Sequence, residues 1–327
     1  MKKLLIVVFV LMIITVTAIF TADRIVRLEQ QVSPFYLQVD KTQLYISDGP
    51  SLSIYDLKTF KLKKKFGKQG EGPGEFIVSP TQNLNSFMFD LLEGKIVVQS
   101  IGKISYFTKQ GEFMKEIRVS NFGMKPLSDG FVGYGITREQ GESPQLTINI
   151  YDGQMNMKKK LHQEPSFYFN KPVISPFDFR SSMFKIYRNR IIIERGKNRI
   201  DILDNSGKLI SSIIPEDSPV RISAKARSRY IDTLKAVPQL KPFISTILQR
   251  LSFPKHYPQI SMFDVADDKI YIIGYQDKIT GRKVLVYNLK GEHVGNHYIR
   301  DYTQYMFLPR PYTFGGNHFY QVHEKSG

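Results

Sequence analysis

The sequence predicts an all-β fold, a six-bladed β-propeller, from three observations. One pattern of short strands and turns recurs along the chain. Aromatic residues suited to pleated, half-buried strands are abundant, with 23 Phe and 18 Tyr among 327 residues. A glycine-rich stretch, Phe66-Gly67-Lys68-Gln69-Gly70-Glu71-Gly72-Pro73-Gly74-Glu75-Phe76, closes one copy of the pattern and opens the next.

The repeat is an alternating strand, a short turn, and a second strand ending in an aromatic residue or Leu followed by Asp, Asn or Thr. A Gly- or Lys-containing turn then leads into a third strand. Tyr55, Phe107, Tyr151, Leu203 and Tyr287 mark five copies, spaced 52, 44, 52 and 84 residues apart. A period of roughly 40–50 residues with four short strands is that of propeller blades. The strand before each outer hairpin also recurs, at Leu44-Tyr45-Ile46, Ile96-Val97-Val98, Phe131-Val132, Ile191-Ile192-Ile193, Ile270-Tyr271-Ile272 and, a sixth time, Phe319-Tyr320. Six such strands predict six blades. The last lacks an outer hairpin before Gly327, and Arg24 to Val32 can supply a strand that covers its edge.

Within the glycine-rich stretch, Gly72-Pro73-Gly74-Glu75 predicts a type II turn. Pro73 pre-sets φ at the second position and Gly74 supplies the positive φ of the third. Glu75 is placed to accept from turn amides and Phe76 to pack between sheets. A phosphate-binding loop is the competing reading. The spacing fits neither common glycine motif, and Glu71 and Glu75 would repel an anion.

Zero cysteines exclude disulfides, thiolate metal sites, a cysteine nucleophile and a lipidated N-terminal cysteine. Lys2 and Lys3 precede an uncharged apolar run from Leu4 to Ala22. This predicts a signal peptide or signal-anchor over 1–22, close to the roughly 20 residues that span a bilayer. A linker or closing strand over 23–34 and the propeller over 35–327 would follow. The expected location is outside the cytoplasm, anchored in the inner membrane and facing the periplasm, or secreted if the segment is cleaved.

The insertion between the fourth and fifth markers reads as helical. Ser223 is a candidate N-cap, Ala226, Tyr230, Ile231, Leu234 and Val237 share a helical face, and Pro238 ends that helix. Pro242 can open a second helix with Phe243, Ile244, Ile247, Leu248 and Leu251 as its stripe. Within 221–256, Arg221, Lys225, Arg227, Arg229, Lys235, Lys241, Arg250 and Lys255 stand against Asp232 alone, so +7 of the net +16 is local. A concentrated basic patch points to an acidic protein, a polysaccharide or an anionic membrane surface. The competing reading is a solvated helix face. The loop 162–180, carrying Phe167, Tyr168, Phe169, Phe177, Phe179 and Arg180, makes the same kind of blade-to-blade connection. This face is therefore the candidate binding face, unless its aromatics simply pack under the hairpin.

Catalytic groups are harder to find. Asp40, Asp90 and Asp264 end presumed inner strands, where Asp is also a normal turn residue. His293 and His297 share an outer hairpin. No metal or cofactor is expected. Lys61-Leu62-Lys63-Lys64-Lys65 and Lys158-Lys159-Lys160 fall on outer strands, where lysine discourages edge pairing.

The Gly70–Phe76 element and a second one, Asn198-Arg199-Ile200-Asp201-Ile202-Leu203-Asp204-Asn205-Ser206-Gly207-Lys208, resemble NHL-repeat proteins. From Phe35 to Gly327 the chain more closely resembles the bacterial exported six-bladed β-propeller family. Many of those relatives are lipoproteins, which this cysteine-free chain cannot be. The resemblance implies the fold, while propellers host binding, scaffolding and enzymatic roles alike. The expected function is a monomeric, non-enzymatic binding or scaffolding module. Its alternatives are a hydrolase or lyase using axial carboxylates and a metal ion, and a nucleic-acid binder of the kind found among NHL proteins, which export disfavours.

Overall fold

The computed structural model describes residues 26–28, 34–78, 87–92, 94–120, 122–138, 144–165, 173–179, 183–275, 282–299 and 311–322. The chain divides into two units, Met1–Gln31 and Val32–Gly327. Of the first, Val26 to Leu28 are described and form no strand. The predicted membrane segment, and the rest of the predicted closing strand, lie outside the described residues. No helix among the described residues is long and apolar enough to cross a membrane.

Each of the five marked repeats folds into a four-stranded antiparallel sheet in chain order. The first holds β1 (Pro34–Val39), β2 (Gln43–Asp48), β3 (Ser51–Asp56) and β4 (Leu62–Phe66). The second holds β5 (Met88–Leu92), β6 (Lys95–Ser100), β7 (Lys103–Thr108) and β8 (Phe113–Arg118). β9 (Phe122–Pro126), β10 (Gly130–Thr137), β11 (Gln145–Asp152) and β12 (Met157–Pro165) form the third. β13 (Phe184–Tyr187), β14 (Arg190–Arg195), β15 (Arg199–Leu203) and β16 (Leu209–Ile213) form the fourth, and β17 (Met262–Ala266), β18 (Lys269–Ile273), β19 (Arg282–Asn288) and β20 (His293–Ile299) the fifth. β21 (Tyr312–Gly315) and β22 (His318–Gln321) pair as a two-stranded sheet.

First strands meet first strands. β1 touches β5 and β21, β13 touches β9 and β17, and β17 touches β21. An ion pair from Asp90 to Lys125 joins β5 to β9. These contacts run round an axis, so the sheets are blades of a β-propeller. Among the described residues five blades are four-stranded, which corrects the predicted six. The repeat count registers second strands, and β22 is one. A blade also needs a third and a fourth, and no described strand follows β22.

The core lies between blades, with one cluster at each of five junctions. Tyr45, Leu52 and Ile54 of the first blade pack against Phe89, Ile96, Val98 and Phe107 of the second. Corresponding clusters follow at the next three junctions. Tyr271, Ile273 and Val286 then meet Phe314 of β21. Second and third strands are thus largely buried on both faces and mix apolar residues with small buried polar ones such as Ser47, Ser53 and Ser105, while β4, β8, β16 and β20 are largely exposed. Each fully buried Ile or Phe contributes about 1.5–3 kcal/mol. The lysine runs fall on the outer strands β4 and β12 and are exposed.

The residue after each marker caps the turn into the fourth strand. Asp56 accepts from the amides of Lys58 and Thr59, Asp152 from Gln154 and Asn156, Asp204 from Ser206 and Lys208, and Asn288 from Lys290 and Glu292. Thr108 Oγ1 accepts from Glu112. Three of these carboxyls sit below their ordinary value: Asp56 chiefly through Lys63, Asp152 through the Asn156 amide and Asp204 through the Ser206 hydroxyl.

Between the first two blades the Gly72 carbonyl accepts from the Glu75 amide at 3.0 Å, with Gly74 at φ +72°, the geometry of a type II turn. The Glu75 carboxylate folds back onto the Gly72 amide at 2.9 Å and pairs with Lys68 at 3.0 Å. Phe76 is fully buried against Phe66, Phe87 and Phe107. Lys103, 2% exposed, donates to the Glu71 carbonyl, the Gly72 carbonyl and the Glu116 carboxylate, using all three of its N–H groups. This locks the connector to the second blade.

Replacing Lys103 by Met strands two carbonyls and a carboxylate, and we expect a loss of roughly 2–4 kcal/mol, read by urea denaturation. The depressed turn aspartates predict an acid sensitivity of defined sign. Their contribution is present above the unfolded carboxyl value of 3.8 and is lost as pH falls through the lower folded values. A D56N/D204N variant should therefore lose less of its stability between pH 5 and pH 2 than the parent, as followed by thermal melting.

Candidate functional site

The insertion between the fourth and fifth blades holds α1 (Ala224–Ala236), a 3-10 segment (Pro238–Phe243) and α2 (Ile244–Arg250). Ser223 caps α1 by accepting from the Ala226 amide at 3.1 Å, and Pro238 follows its end. Tyr230, Leu234 and Ile247 are buried together with Leu251 and Phe253 beside them. The rest of its surface is basic. Arg221, Lys225, Arg227, Lys235, Lys241, Arg250 and Lys255 are exposed, with Arg229 half-buried. Arg227 lies over the Phe253 ring, 5.7 Å from its centroid.

The loop before the fourth blade is stitched to this insertion. Ile174 donates to the Arg250 carbonyl and accepts from the Ser252 amide, both at 2.9 Å, and the Tyr230 hydroxyl donates to the Pro176 carbonyl at 3.2 Å. Phe177 packs with Ile222, Ala226, Tyr257 and Tyr275, so this aromatic lies under the hairpin. A cleft of about 620 Å³ opens beside it, lined by Phe177, Lys197, Asn198, His256, Tyr257 and Pro258 among others. Its walls are held by the β14–β15 turn: the Gln259 amide donates to Asn198 Oδ1 at 3.0 Å and Ile260 to the Lys197 carbonyl at 3.0 Å.

A second polar centre lies on the axis. The registers place Gln38, Asp90, Lys125, Lys185, Asp264 and Thr313 at one level, opposite Tyr45, Val97, Val132, Ile192, Tyr271 and Tyr320. In the first five blades those second-strand partners pair in turn with the residue just before each marker. Asp90 binds Lys125 at 2.6 Å and Asp264 binds Lys185 at 3.1 Å. Asp264 also accepts from Thr313 Oγ1 and the Phe314 amide, each at 3.1 Å, and Lys185 reaches Tyr36 Oη at 3.5 Å. One carboxylate–lysine pair thus touches the first, fourth and fifth blades and the two-stranded sheet. Burial works against the Lys185 charge. Asp264, with Tyr36 and Tyr312, more than offsets it and holds the ammonium's pKa well above the ordinary lysine value.

The predicted site residues fall into three groups. Arg221, Lys225, Arg227, Arg229 and Lys235 gather on the insertion. Phe167, Tyr168, Phe169 and Arg180 lie outside the described residues. Asp40 is the turn residue expected, accepting from the Thr42 and Gln43 amides at 2.8 and 2.9 Å, with Lys109 at 3.0 Å. Asp90 and Asp264 correct the turn reading: both lie inside first strands and face the axis, because the β5–β6 and β17–β18 turns come later. Among the described residues no group of three or more His, Asp or Glu could hold a metal ion. Lys125, Lys185, Gln38 and Thr313 went unnoticed, although a signal was present. Each lies seven residues before its second-strand partner, as do Asp90 and Asp264.

No family model and no curated protein matches the chain. Among solved structures it is similar to a DUF4221 member from Bacteroides vulgatus, at 11% identity over 84% of this chain and 83% of that one, with a TM-score of 0.42. It is also similar to the Pan2 WD40 domain of Neurospora crassa, at 10% identity over 82% and 66%, with a TM-score of 0.37.

Asp264→Asn removes the charge that holds Lys185 while keeping much of the shape. We expect a loss of about 3 kcal/mol, with faster amide exchange concentrated in residues 311–322.

Proposed function

We propose that the protein is an exported, membrane-tethered β-propeller that binds or scaffolds an acidic partner through the face bearing the helical insertion. In this reading β21 and β22 are the inner half of a sixth blade, and the N-terminal apolar run is the tether. The carrying observation is the sidedness of the insertion. Tyr230, Leu234 and Ile247 turn inward, although Phe243 of the predicted stripe is 57% exposed, and seven of its eight basic residues are exposed on one short segment. The Ile174–Leu251 bridge and the Lys197–Asn198 turn support the reading by holding the insertion against neighbouring loops, so its charge is presented on a braced surface.

Catalysis is the weaker reading on physical grounds. Asp90 and Asp264, the carboxylates at the axis, are each committed to a lysine within hydrogen-bond distance. A metal would have to displace that lysine.

The test is binding to phosphatidylglycerol vesicles, to an acidic polysaccharide and to an oligonucleotide across a salt series. Each cation near an anionic surface is worth about 1 kcal/mol, so K225S/K235S/K241S should weaken vesicle association roughly a hundredfold with an unchanged melting temperature. Association that is insensitive both to salt and to this variant would reject the proposal. Tightest binding to the oligonucleotide would replace it with the nucleic-acid reading.

A further inference from the structure

Among the described residues the axial layer leaves two junctions without a side-chain bridge, Thr313 to Gln38 and Lys125 to Lys185, and only the second sets like charges together. Round the ring it reads Gln38, Asp90, Lys125, Lys185, Asp264, Thr313. Asp90 meets Lys125, Lys185 meets Asp264, and Asp264 meets Thr313, as described above. Gln38 accepts from the Leu91 amide of the next blade at 3.0 Å and donates to Tyr36 Oη at 3.1 Å. Between the third and fourth blades the layer sets two lysines side by side, and an ammonium can only donate.

Both lysines have donors to spare. An ammonium carries three N–H groups. Among the described residues Lys125 gives one, to Asp90, and Lys185 gives two, to Asp264 and, at 3.5 Å, to Tyr36. Their side chains keep 11% and 24% of their surface accessible. Asp90 and Asp264 lie on the far side of each lysine in ring order. No carboxylate of the layer therefore stands between the two cations in ring order.

We propose that this junction is a binding site for a small oxyanion, a carboxylate or a phosphate, held between the ammonium groups of Lys125 and Lys185. An oxyanion offers acceptors alone, with two or three oxygens to share between two donors, and charge-assisted bonds of this kind are the strong ones. It also relieves the repulsion between the two cations. The site is separate from the insertion, and neither proposal depends on the other.

The experiment uses the full chain carrying K225S/K235S/K241S, which thins the cations on the insertion. Sodium phosphate and sodium acetate are titrated separately against sodium chloride at matched ionic strength, with melting temperature and binding heat as readouts. Saturable binding with a rise in melting temperature is expected for at least one of the two, and the stronger identifies the anion. Lys125→Met should weaken that binding at least tenfold. Because K125M leaves Asp90 unpaired, D90L/K125M removes the pair as a unit and should give the same loss. R188S, which removes an exposed cation outside the layer, should bind like its parent. The proposal is overturned if neither salt exceeds chloride, or if D90L/K125M binds like its parent.

Discussion

Burial of each blade's second and third strands between two neighbours is the constraint from which the rest of this molecule follows. A strand covered on both faces admits only small or neutral polar groups among its apolar ones, as at Ser53, Ser105, Thr147 and Asn149, and it carries charge only where a partner is supplied. Charged chemistry is therefore pushed mainly to the outer strands, to the connections at the two ends of the blades, and to the axis. The lysine runs on β4 and β12, the basic insertion and the Asp–Lys pairs of the first strands are these three outlets.

The axial layer matters because charged groups are costly to enclose. An ion pair inside a fold often contributes little net stability over an apolar pair of the same shape, whereas an unmatched charge is strongly destabilising. Asp264 is matched by Lys185, Thr313 and the Phe314 amide. Its bonds tie the last sheet to the ring. The ring closes tightly there: a Cβ added at Gly315 would sit 2.2 Å from Val39 Cγ2. Lys103 joins elements from different parts of the chain at the Gly72–Pro73–Gly74 connector as Lys185 does at the axis, but with all three of its N–H groups used.

Much of this was legible in the residues. The marker positions locate the third strands, and the Asp, Asn or Thr after each one locates the turn, because a short side-chain acceptor is what those turn amides need. The insertion was legible from its proline and its apolar spacing. The axial charges were not seen, although the constant seven-residue offset would have found them. First strands are short and carry polar residues at the axial position, so neither hydropathy nor a repeat of residue type points to them. Asp90 and Asp264 were read as turn residues because residue type alone does not separate a turn carboxylate from one facing a channel.

The sequence by itself determined the blade pattern, the placing of the turns and the sidedness of the insertion, since each depends on local chemistry within a few residues. Only the tertiary structure decided how many sheets are complete, which aromatics lie under the hairpin, and that Asp90, Lys125, Lys185 and Asp264 share one level. These depend on strands distant in the chain being brought round an axis. That is a matter of register between blades, and no single repeat contains it.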